Sequence, residues 1–293
     1  MKTIQRREFL AGALGAGALL SLAGPPPTAR AVDASGMRFG LVTYLWGQHM
    51  DLPTLLDACE RSGLLGVEVR TQHAHGVEPS LTKAERSDVK NRFADSPVEL
   101  VGYGSNAQYH ESDPAKVAAN VALTKDYVRL MHDCGGTGVK VKPNSVPEGP
   151  DQQRTIERIA TGLRDVGADA SDYGQEIRVE VHGRGSSELP IVRAIMEATD
   201  HPNVKVCWNS NAEDLHGEGL EPNFNLVKQW FGATVHVREL NIGSYPYSIL
   251  MWLFRQLEYK GWILLEARTN PADKIAAMIE QEHIFQRMIG NKE

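Results

Sequence analysis

Short runs of β-branched and aliphatic residues alternate along the chain with longer segments in which apolar positions recur every three to four residues. The short runs predict buried strands, and the longer segments predict amphipathic helices. The predicted strands are 38–44, 65–70, 98–103, 137–142, 176–182, 204–209, 233–239 and 261–266. The predicted helices lie near 52–62, 82–94, 114–133, 151–172, 187–199, 222–230, 247–259 and 272–289.

The strict alternation of strand and helix predicts parallel strands. Eight such units in about 260 residues fit a single-domain α/β fold, the closed (β/α)8 TIM barrel. An open doubly wound sheet is the alternative, but no G-x-G-x-x-G motif follows the first strand to support it. Asp51, Asp113 and Asn270, each followed within two residues by a proline, are the predicted start signals of three helices.

Residues 1–31 have the features of a twin-arginine signal peptide. Arg6 and Arg7 precede a Gly/Ala-rich apolar run over 11–23, and the sequence Ala-Arg-Ala at 29–31 resembles a cleavage site. That run is shorter than the roughly 20 residues that span a bilayer. We therefore expect a mature barrel of residues 32–293 in the periplasm, with no membrane contact after cleavage. An uncleaved N-terminal anchor is the alternative.

The charge balance bears on the class of partner, and the cysteine spacing bears on disulfide bonds. Loss of residues 1–31 removes four of 31 basic and one of 37 acidic residues, which leaves 27 against 36 and a net charge of −9. A nucleic-acid partner is not expected, because it would call for a basic surface. Cys59, Cys134 and Cys207 lie in apolar surroundings and lack C-x-x-C spacing, so we expect buried thiols. A homo-oligomer remains open.

The C-terminal ends of the last four predicted strands carry polar side chains, and these ends form the functional face of a TIM barrel. The residues concerned are Glu180 and His182, Asn209, His236 and Arg238, and Glu266. Two carboxylates, an imidazole and an amide oxygen suit one divalent metal ion, and Mn²⁺, Mg²⁺, Co²⁺ and Zn²⁺ are all compatible. In the simpler alternative Glu180 pairs with Arg238 and there is no ion.

Other residues near strand ends are candidates for contact with a substrate. They are Tyr44, Trp46, His73, His75, Lys140, Lys142 and Asn211. Each group also has a plainer interpretation. The aromatic residues could serve packing, the histidines could lie on a solvated loop, and the lysines could pair with Glu180 or Glu68.

Several segments resemble the xylose isomerase-like TIM-barrel superfamily of sugar phosphate isomerases and epimerases, and the resemblance covers roughly residues 37–290. These segments are RTQHAHGVEPSL, GVKVKPN, VEVHGRG, VCWNSN, HVREL, YPYSIL and GWILLEA. In the ketose epimerases of that superfamily, Glu, Asp, His and Glu from strands five to eight hold one metal. The matching positions here are Glu180, Asn209, His236 and Glu266.

The resemblance implies that Glu180 and Glu266 act as acid and base on the two faces of the substrate carbon. It also implies that Arg238 and His182 contact substrate oxygens. Asn209 departs from the pattern, since it stands where the epimerases have Asp and removes one negative charge. That departure leaves open whether Asn209 coordinates, binds through water, or marks a site without an ion.

The expected activity is a metal-dependent isomerase or epimerase that acts on a sugar or sugar derivative by proton transfer through an enediolate. A lyase or dehydratase of a keto-sugar or inosose on the same site is the first alternative, and a non-catalytic carbohydrate-binding barrel is the second. A DNA-repair endonuclease with the same barrel is disfavoured, because residues 240–248 (LNIGSYPYS) lack the expected Asp-x-His.

Overall fold

The structure, a computed structural model, describes residues 36–290, so the predicted signal peptide lies outside the described residues. The eight barrel strands are β1 (Arg38–Val42), β2 (Gly66–Arg70), β3 (Glu99–Gln108), β4 (Gly138–Lys142), β5 (Glu176–Glu180), β6 (Val204–Cys207), β7 (Thr234–Val237) and β8 (Trp262–Leu265). The eight α-helices that follow them are α1 (Leu52–Ser62), α2 (Lys83–Ala94), α3 (Pro114–Cys134), α4 (Gln152–Asp172), α5 (Leu189–Thr199), α6 (Leu220–Val227), α7 (Tyr247–Gln256) and α8 (Lys274–Met288).

The strands pair in the order β6-β5-β4-β3-β2-β1-β8-β7, and every pair is parallel. Backbone hydrogen bonds join the two ends of this sheet. His236 N donates to Trp208 O at 2.7 Å, and Ser210 N donates to His236 O at 3.2 Å. The predicted single-domain (β/α)8 TIM barrel is confirmed.

Most strands alternate apolar residues with charged residues or glycine, as in GVEVR, GVKVK and EIRVE, and both faces are buried. The apolar side chains pack under the helices, and the alternating positions face the barrel interior. Two predicted helix starts are confirmed by their caps. The Asp51 carboxylate accepts from Thr54 N, and the Asp113 carboxylate accepts from Ala115 N.

The predicted helix start at Asn270 is wrong. Helix α8 begins at Lys274, and Asp273 caps it by accepting a hydrogen bond from Ala276 N. The backbone N–H groups of Arg268 and Thr269 both donate to the Glu239 carboxylate. These bonds hold the chain at the barrel mouth, and the helix therefore starts a few residues later than the proline suggested.

Strand ends also differ from the prediction in a way that matters for the site. Regular pairing in β5 to β8 stops at 180, 207, 237 and 265, so His182, Asn209, Arg238 and Glu266 open the following loops. In the opposite direction, β3 continues past residue 103 to Gln108 through a shift in register against β4. This extension brings Asn106 to the same end of the barrel as the site residues.

A second, two-stranded pairing fixes the loops after β4 and β5. Asn144–Ser145 pairs in parallel with Gly183–Arg184. Gly183 has a φ of 102°, and a Cβ atom there would collide with the Asn144 carbonyl. Only glycine fits this close approach, which holds the chain directly after Glu180 and His182.

The three cysteines are buried and unpaired, as the apolar surroundings predicted. Within residues 36–290, no helix has both the length and the apolar character that a membrane crossing requires.

Candidate metal centre and active site

Glu180 ends β5 inside the barrel mouth, and its buried carboxylate is held by two neighbouring strands. Lys140 Nζ on β4 donates to its Oε2 at 2.7 Å, and Asn209 Nδ2 donates to its Oε1 at 2.9 Å. The pairing of Glu180 with Arg238, one alternative from the sequence, is not what the structure has. The partner is Lys140.

His236 on β7 lies between two acidic side chains from other strands. Its Nε2 is 3.3 Å from Glu68 Oε1 on β2, and its Nδ1 is 3.7 Å from Glu180 Oε1. All three side chains are buried, yet neither ring nitrogen and neither Glu68 oxygen makes an aligned hydrogen bond within the described part of the chain. Buried polar atoms without hydrogen bonds are costly, so this arrangement calls for a further partner.

Glu266 completes a set of three possible metal ligands. One ligand atom from each of Glu180, His236 and Glu266 lies within 4.8 Å of the other two. Ligand atoms around a divalent ion at about 2.1 Å stand roughly 3–4 Å apart, so small side-chain movements suffice to close the set. The donor types and the unbonded atoms of His236 both fit a divalent cation.

Asn209 belongs to the same cluster, because its backbone bridges to His236 across the closure of the barrel. Its amide nitrogen faces Glu180, and its position in the chain matches the fourth ligand expected from the sequence. An amide can turn to offer its oxygen instead, so the residue is available to an ion through a single rotation.

Electrostatics keep this cluster charged. Burial alone raises the pKa of Glu180, but the Lys140 ammonium and the His236 ring hold it well below its ordinary value. Burial lowers the pKa of His236, whereas Cys207 and the carboxylates of Glu68 and Glu180 raise it well above its ordinary value. The imidazolium thus fills the place in the charge balance that a bound cation would take.

Arg70 and Lys142 form a cationic rim beside the cluster. Arg70 donates through Nη1 to Glu266 Oε1 and through Nη2 to Asn106 Oδ1, both at 3.2 Å. Lys142 Nζ donates to the same Asn106 oxygen at 3.3 Å. Burial, together with Lys140 and Arg70, lowers the pKa of Lys142 to about 8.

His182 and Arg238, both predicted substrate contacts, reach this end of the barrel with buried nitrogen atoms that lack a partner. These atoms are His182 Nδ1 and Arg238 Nε, within the described residues. Burial lowers the pKa of His182, so the ring is neutral near pH 7 and can accept or donate a hydrogen bond.

Four of the other predicted substrate contacts are engaged by the protein itself. His75 uses both ring nitrogens on the backbone, with Nε2 2.8 Å from Arg70 O and Nδ1 accepting from Val77 N. Trp46 is buried, and its Nε1 donates to Thr269 O. Asn211 donates to Val181 O and Asn209 O. Lys140 Nζ donates to Glu180 and to Ser105 O. The polar groups named here thus have partners within the protein.

Two more of the predicted contacts keep a partly exposed face. His73 Nδ1 is 3.0 Å from Thr43 Oγ1, and burial with the charges of His75 and Arg70 lowers the His73 pKa to about 4. The Tyr44 ring lies under the Arg70 guanidinium, with 4.9 Å between Cζ and the ring centroid. Tyr44 therefore supports Arg70 at the rim.

Sequence reasoning missed two residues of the site. The sequence suggests Glu68 only as a partner for a lysine, although alternation in GVEVR puts Glu68 and Arg70 on the same inward face of β2. Asn106 lies beyond the predicted end of β3, in a stretch of Gly, Ser and Asn that is typical of turns. Only the observed register of β3 places it at the mouth.

The fold and this set of side chains define a TIM barrel with a candidate metal centre at the C-terminal ends of its strands. The family model of the xylose isomerase-like TIM barrel matches residues 56–285. The chain therefore belongs to that family. No curated protein matches the chain.

Several solved structures share the fold. A 3-keto-D-glucoside 4-epimerase from E. coli superposes with a TM-score of 0.72 at 13% identity, over 86% of this chain and 99% of that one. A D-allulose 3-epimerase from Methylomonas sp. gives 0.73 at 14% identity, over 86% and 98%. A D-psicose 3-epimerase from Clostridium cellulolyticum H10 gives 0.71 at 14% identity, over 86% and 99%. At these identities the likeness shows the fold.

Proposed function

We propose that this chain is a sugar isomerase or epimerase that works with one divalent metal ion at the barrel mouth. The observation that carries the proposal is the convergence of ligand atoms from Glu180, His236 and Glu266 to within 4.8 Å of one another. Membership of the xylose isomerase-like family supports it, and so do structural neighbours named as epimerases of a 3-keto-glucoside and of ketohexoses.

Glu180, His236 and Glu266 would hold the metal, with Asn209 as a fourth ligand after rotation of its amide. Mn²⁺, Mg²⁺, Co²⁺ and Zn²⁺ all suit these donors. When bound, a divalent ion supplies Lewis acidity, which polarises a carbonyl group of the sugar and makes the adjacent C–H bond more acidic.

The two glutamates would exchange the proton. One carboxylate removes it from the carbon next to the carbonyl, and the other returns it from the opposite face, which changes the configuration. Lys140 and Asn209 hold Glu180 in place, and Arg70 does the same for Glu266 through the contact at 3.2 Å. His182 and Arg238 would bind sugar oxygens with the nitrogens that have no partner in the protein.

The experiment that tests this proposal is proton exchange in deuterated water. Metal-loaded protein is incubated with a panel of ketoses, inososes and 3-keto-glycosides, and products are read by NMR and mass spectrometry. An isomerase or epimerase incorporates deuterium at the carbon next to the carbonyl and yields a configurational isomer. An unsaturated product would instead assign the lyase alternative.

Glu266→Gln is the matched test variant, because it keeps the size of the side chain and removes its basicity. We expect the exchange rate to fall by roughly 10²–10⁴-fold, the usual contribution of a positioned acid or base. Glu280→Gln, on the exposed side of α8, is the control and should exchange at the unaltered rate. Sugar binding without exchange by the unaltered protein would favour the non-catalytic barrel.

We further propose that the protein is exported through the twin-arginine pathway. The double arginine and the apolar run in residues 1–31 support this location. Arg6→Lys combined with Arg7→Lys should keep the protein in the cytoplasm in a fractionation experiment, whereas an unchanged distribution would contradict the proposal.

A further inference from the structure

Two cations at the barrel mouth share one neutral acceptor. Arg70 Nη2 and Lys142 Nζ both donate to Asn106 Oδ1, at 3.2 and 3.3 Å. A single amide oxygen thus serves a guanidinium and an ammonium that come from β2 and β4. Two cations repel one another, and the shared amide oxygen carries no net charge to offset this repulsion, so an anion beside them would be stabilised.

Lys142 lacks an acidic partner. Within the described residues, no carboxylate oxygen lies within 4.0 Å of its Nζ. Its neighbour Lys140, two positions earlier on the same strand, has Glu180 at 2.7 Å. The two lysines therefore differ in role, since Lys140 is neutralised inside the protein and Lys142 is not.

Arg70 has unused hydrogen-bonding capacity. Its Nη atoms contact Glu266 and Asn106, while its Nε is buried and has no hydrogen-bond partner within residues 36–290. The side chain is only 11% exposed and is packed over Tyr44, so it is held in one orientation. A fixed guanidinium with a free N–H is the preferred partner of a planar oxyanion.

The charge balance of the site points in the same direction. Three cations, Lys140, Lys142 and Arg70, meet three carboxylates, Glu68, Glu180 and Glu266. A divalent ion adds two positive charges that these side chains do not neutralise. Asn209 contributes none of the missing negative charge, because it is an amide.

We propose that the substrate of this site is an acidic sugar, and that its carboxylate or phosphate group binds Arg70 and Lys142 in place of Asn106. This inference rests on the proposed function for the rest of the substrate, and it adds the chemical class. The anion supplies the negative charge that the metal-loaded site lacks, and its oxygens take over the hydrogen bonds that the Asn106 amide now accepts.

Matched sugars that differ in one group provide the test. Metal-loaded protein is titrated by calorimetry with D-glucuronate, D-glucose 6-phosphate and D-glucose, and with D-gluconate and D-glucitol as a second pair. We expect an acidic member to bind roughly tenfold or more tightly than its neutral counterpart, as for hydrogen bonds between charged groups. The relative affinities of D-glucuronate and D-glucose 6-phosphate show whether the site prefers a carboxylate or a phosphate group.

Three variants test whether Lys142 and Asn106 determine the preference for acidic sugars. Lys142→Gln should lower the affinity for acidic sugars to that for their neutral counterparts, and Lys142→Arg should keep the preference. Asn106→Asp places a carboxylate where the two cations already meet. It should therefore raise thermal stability and remove the preference. Lys83→Gln, an exposed lysine at the start of α2, is the control for a general charge effect.

The result that would overturn the inference is equal binding of acidic and neutral members, or binding of neutral sugars alone. A preference that survives both Lys142→Gln and Asn106→Asp would also overturn it, because the anion would then sit elsewhere. Failure of the proposed function has a different signature. Acidic sugars would bind with the expected preference, but no deuterium would enter them.

Discussion

Strand β5 carries two buried charges, Arg178 and Glu180, on the same inward face, and their surroundings differ in a way that separates structure from function. All three nitrogen groups of Arg178 are satisfied: Nε by Glu176 at 2.9 Å, Nη1 by Val101 O at 3.0 Å and Nη2 by Thr137 at 2.8 Å. One layer further toward the mouth, Glu180 adjoins His236 and Glu68, whose polar atoms lack aligned hydrogen bonds.

We call the layer around Arg178 finished, because all three guanidinium nitrogens have hydrogen-bond partners within the protein. Gly102 and Gly138 make room for its guanidinium, since a Cβ atom on either would lie 2.7–2.8 Å from the Arg178 side chain. The layer around Glu180 is not finished without a further partner. Burial of charge is common to both layers, and only the unbonded atoms mark a site.

The largest effect is expected from breaking the finished layer. Arg178→Met removes three hydrogen bonds of a buried guanidinium, although Glu176 still accepts from Ala233 N and Val101 O from Thr137 Oγ1. We expect a loss of about 3 kcal/mol in the free energy of unfolding, because hydrogen bonds to a buried charged group are lost. Urea unfolding measures it, with chelator present so that metal plays no part.

Arg193→Met is the matched control, because Arg193 is a half-exposed arginine that pairs with Glu197 on α5. Its removal should change the free energy of unfolding by no more than about 0.5 kcal/mol. Equal losses from the two variants would contradict the distinction between the layers.

Asp214 lies outside both layers, but its hydrogen bonding is intermediate between theirs, because only one of its two oxygens has partners in the described part of the chain. Its contribution to the free energy of unfolding should depend on pH. One of its oxygens accepts from Asn211 N and Tyr245 Oη, and the other has no partner within residues 36–290. Burial is the main cause that raises its pKa to about 7 from 3.8. The folded state thus binds this proton more tightly than the unfolded chain does.

The stabilising effect of this proton is complete below pH 4 and is lost as the pH rises through 7. Asp214→Asn has no such dependence. Relative to the unaltered protein, the variant should therefore gain stability between pH 5 and pH 8, by at most about 1.4 kcal/mol for each pH unit from 5 to 7. Melting curves at the two pH values measure it, and a constant difference between the proteins would refute the assignment.

Glu68→Gln tests the unfinished layer without removing a metal ligand. Glu68 faces the ring nitrogen of His236 that points away from Glu180, so it can fix the tautomer in which Nδ1 would be free to bind an ion. We expect metal affinity to fall by roughly 10–100-fold, as for other residues that orient a ligand histidine. Calorimetric titration with Mn²⁺ measures it.

The exposed Glu99 on β3 supplies the control for Glu68. Glu99→Gln removes a carboxylate that pairs with Arg38 at the other end of the barrel and should leave metal affinity unchanged. Unchanged affinity in Glu68→Gln itself would remove this residue from the metal site.

The smallest effect concerns Asn209. Asn209→Asp places a second carboxylate against Glu180, so the metal-free protein should melt at a lower temperature. The added charge should tighten metal binding by about tenfold, equivalent to about 1.4 kcal/mol. Melting curves with and without Mn²⁺ separate the two effects. Equal or weaker binding by the variant would contradict a ligand role for residue 209.

The sequence predicted the barrel and the order of its strands, because alternation and strand–helix order are local properties, but it did not predict where several strands end. The same rule placed Glu180, His236 and Glu266 at one mouth. The contact between Glu68 and His236 needs the register of β2 and β7 across the barrel, which no local pattern contains. Asn106 was missed because a shift in the register of β3 extends that strand through residues typical of turns.

His75 illustrates a different difficulty. A histidine in a loop after β2 suggested contact with a substrate, but the loop folds back so that both ring nitrogens meet the backbone. Lys140 similarly offered two interpretations, and the pairing with Glu180 is confirmed. Side chains whose partners lie in the same loop or on the next strand cannot be told from ligands by residue type alone.

The most direct test of the candidate metal centre is a titration of chelator-treated protein with Mn²⁺, followed by calorimetry and elemental analysis. The proposal predicts one ion per chain, a higher melting temperature on binding, and loss of both in His236→Gln. Absence of a bound ion, together with a melting temperature that Mn²⁺ leaves unchanged, would contradict it.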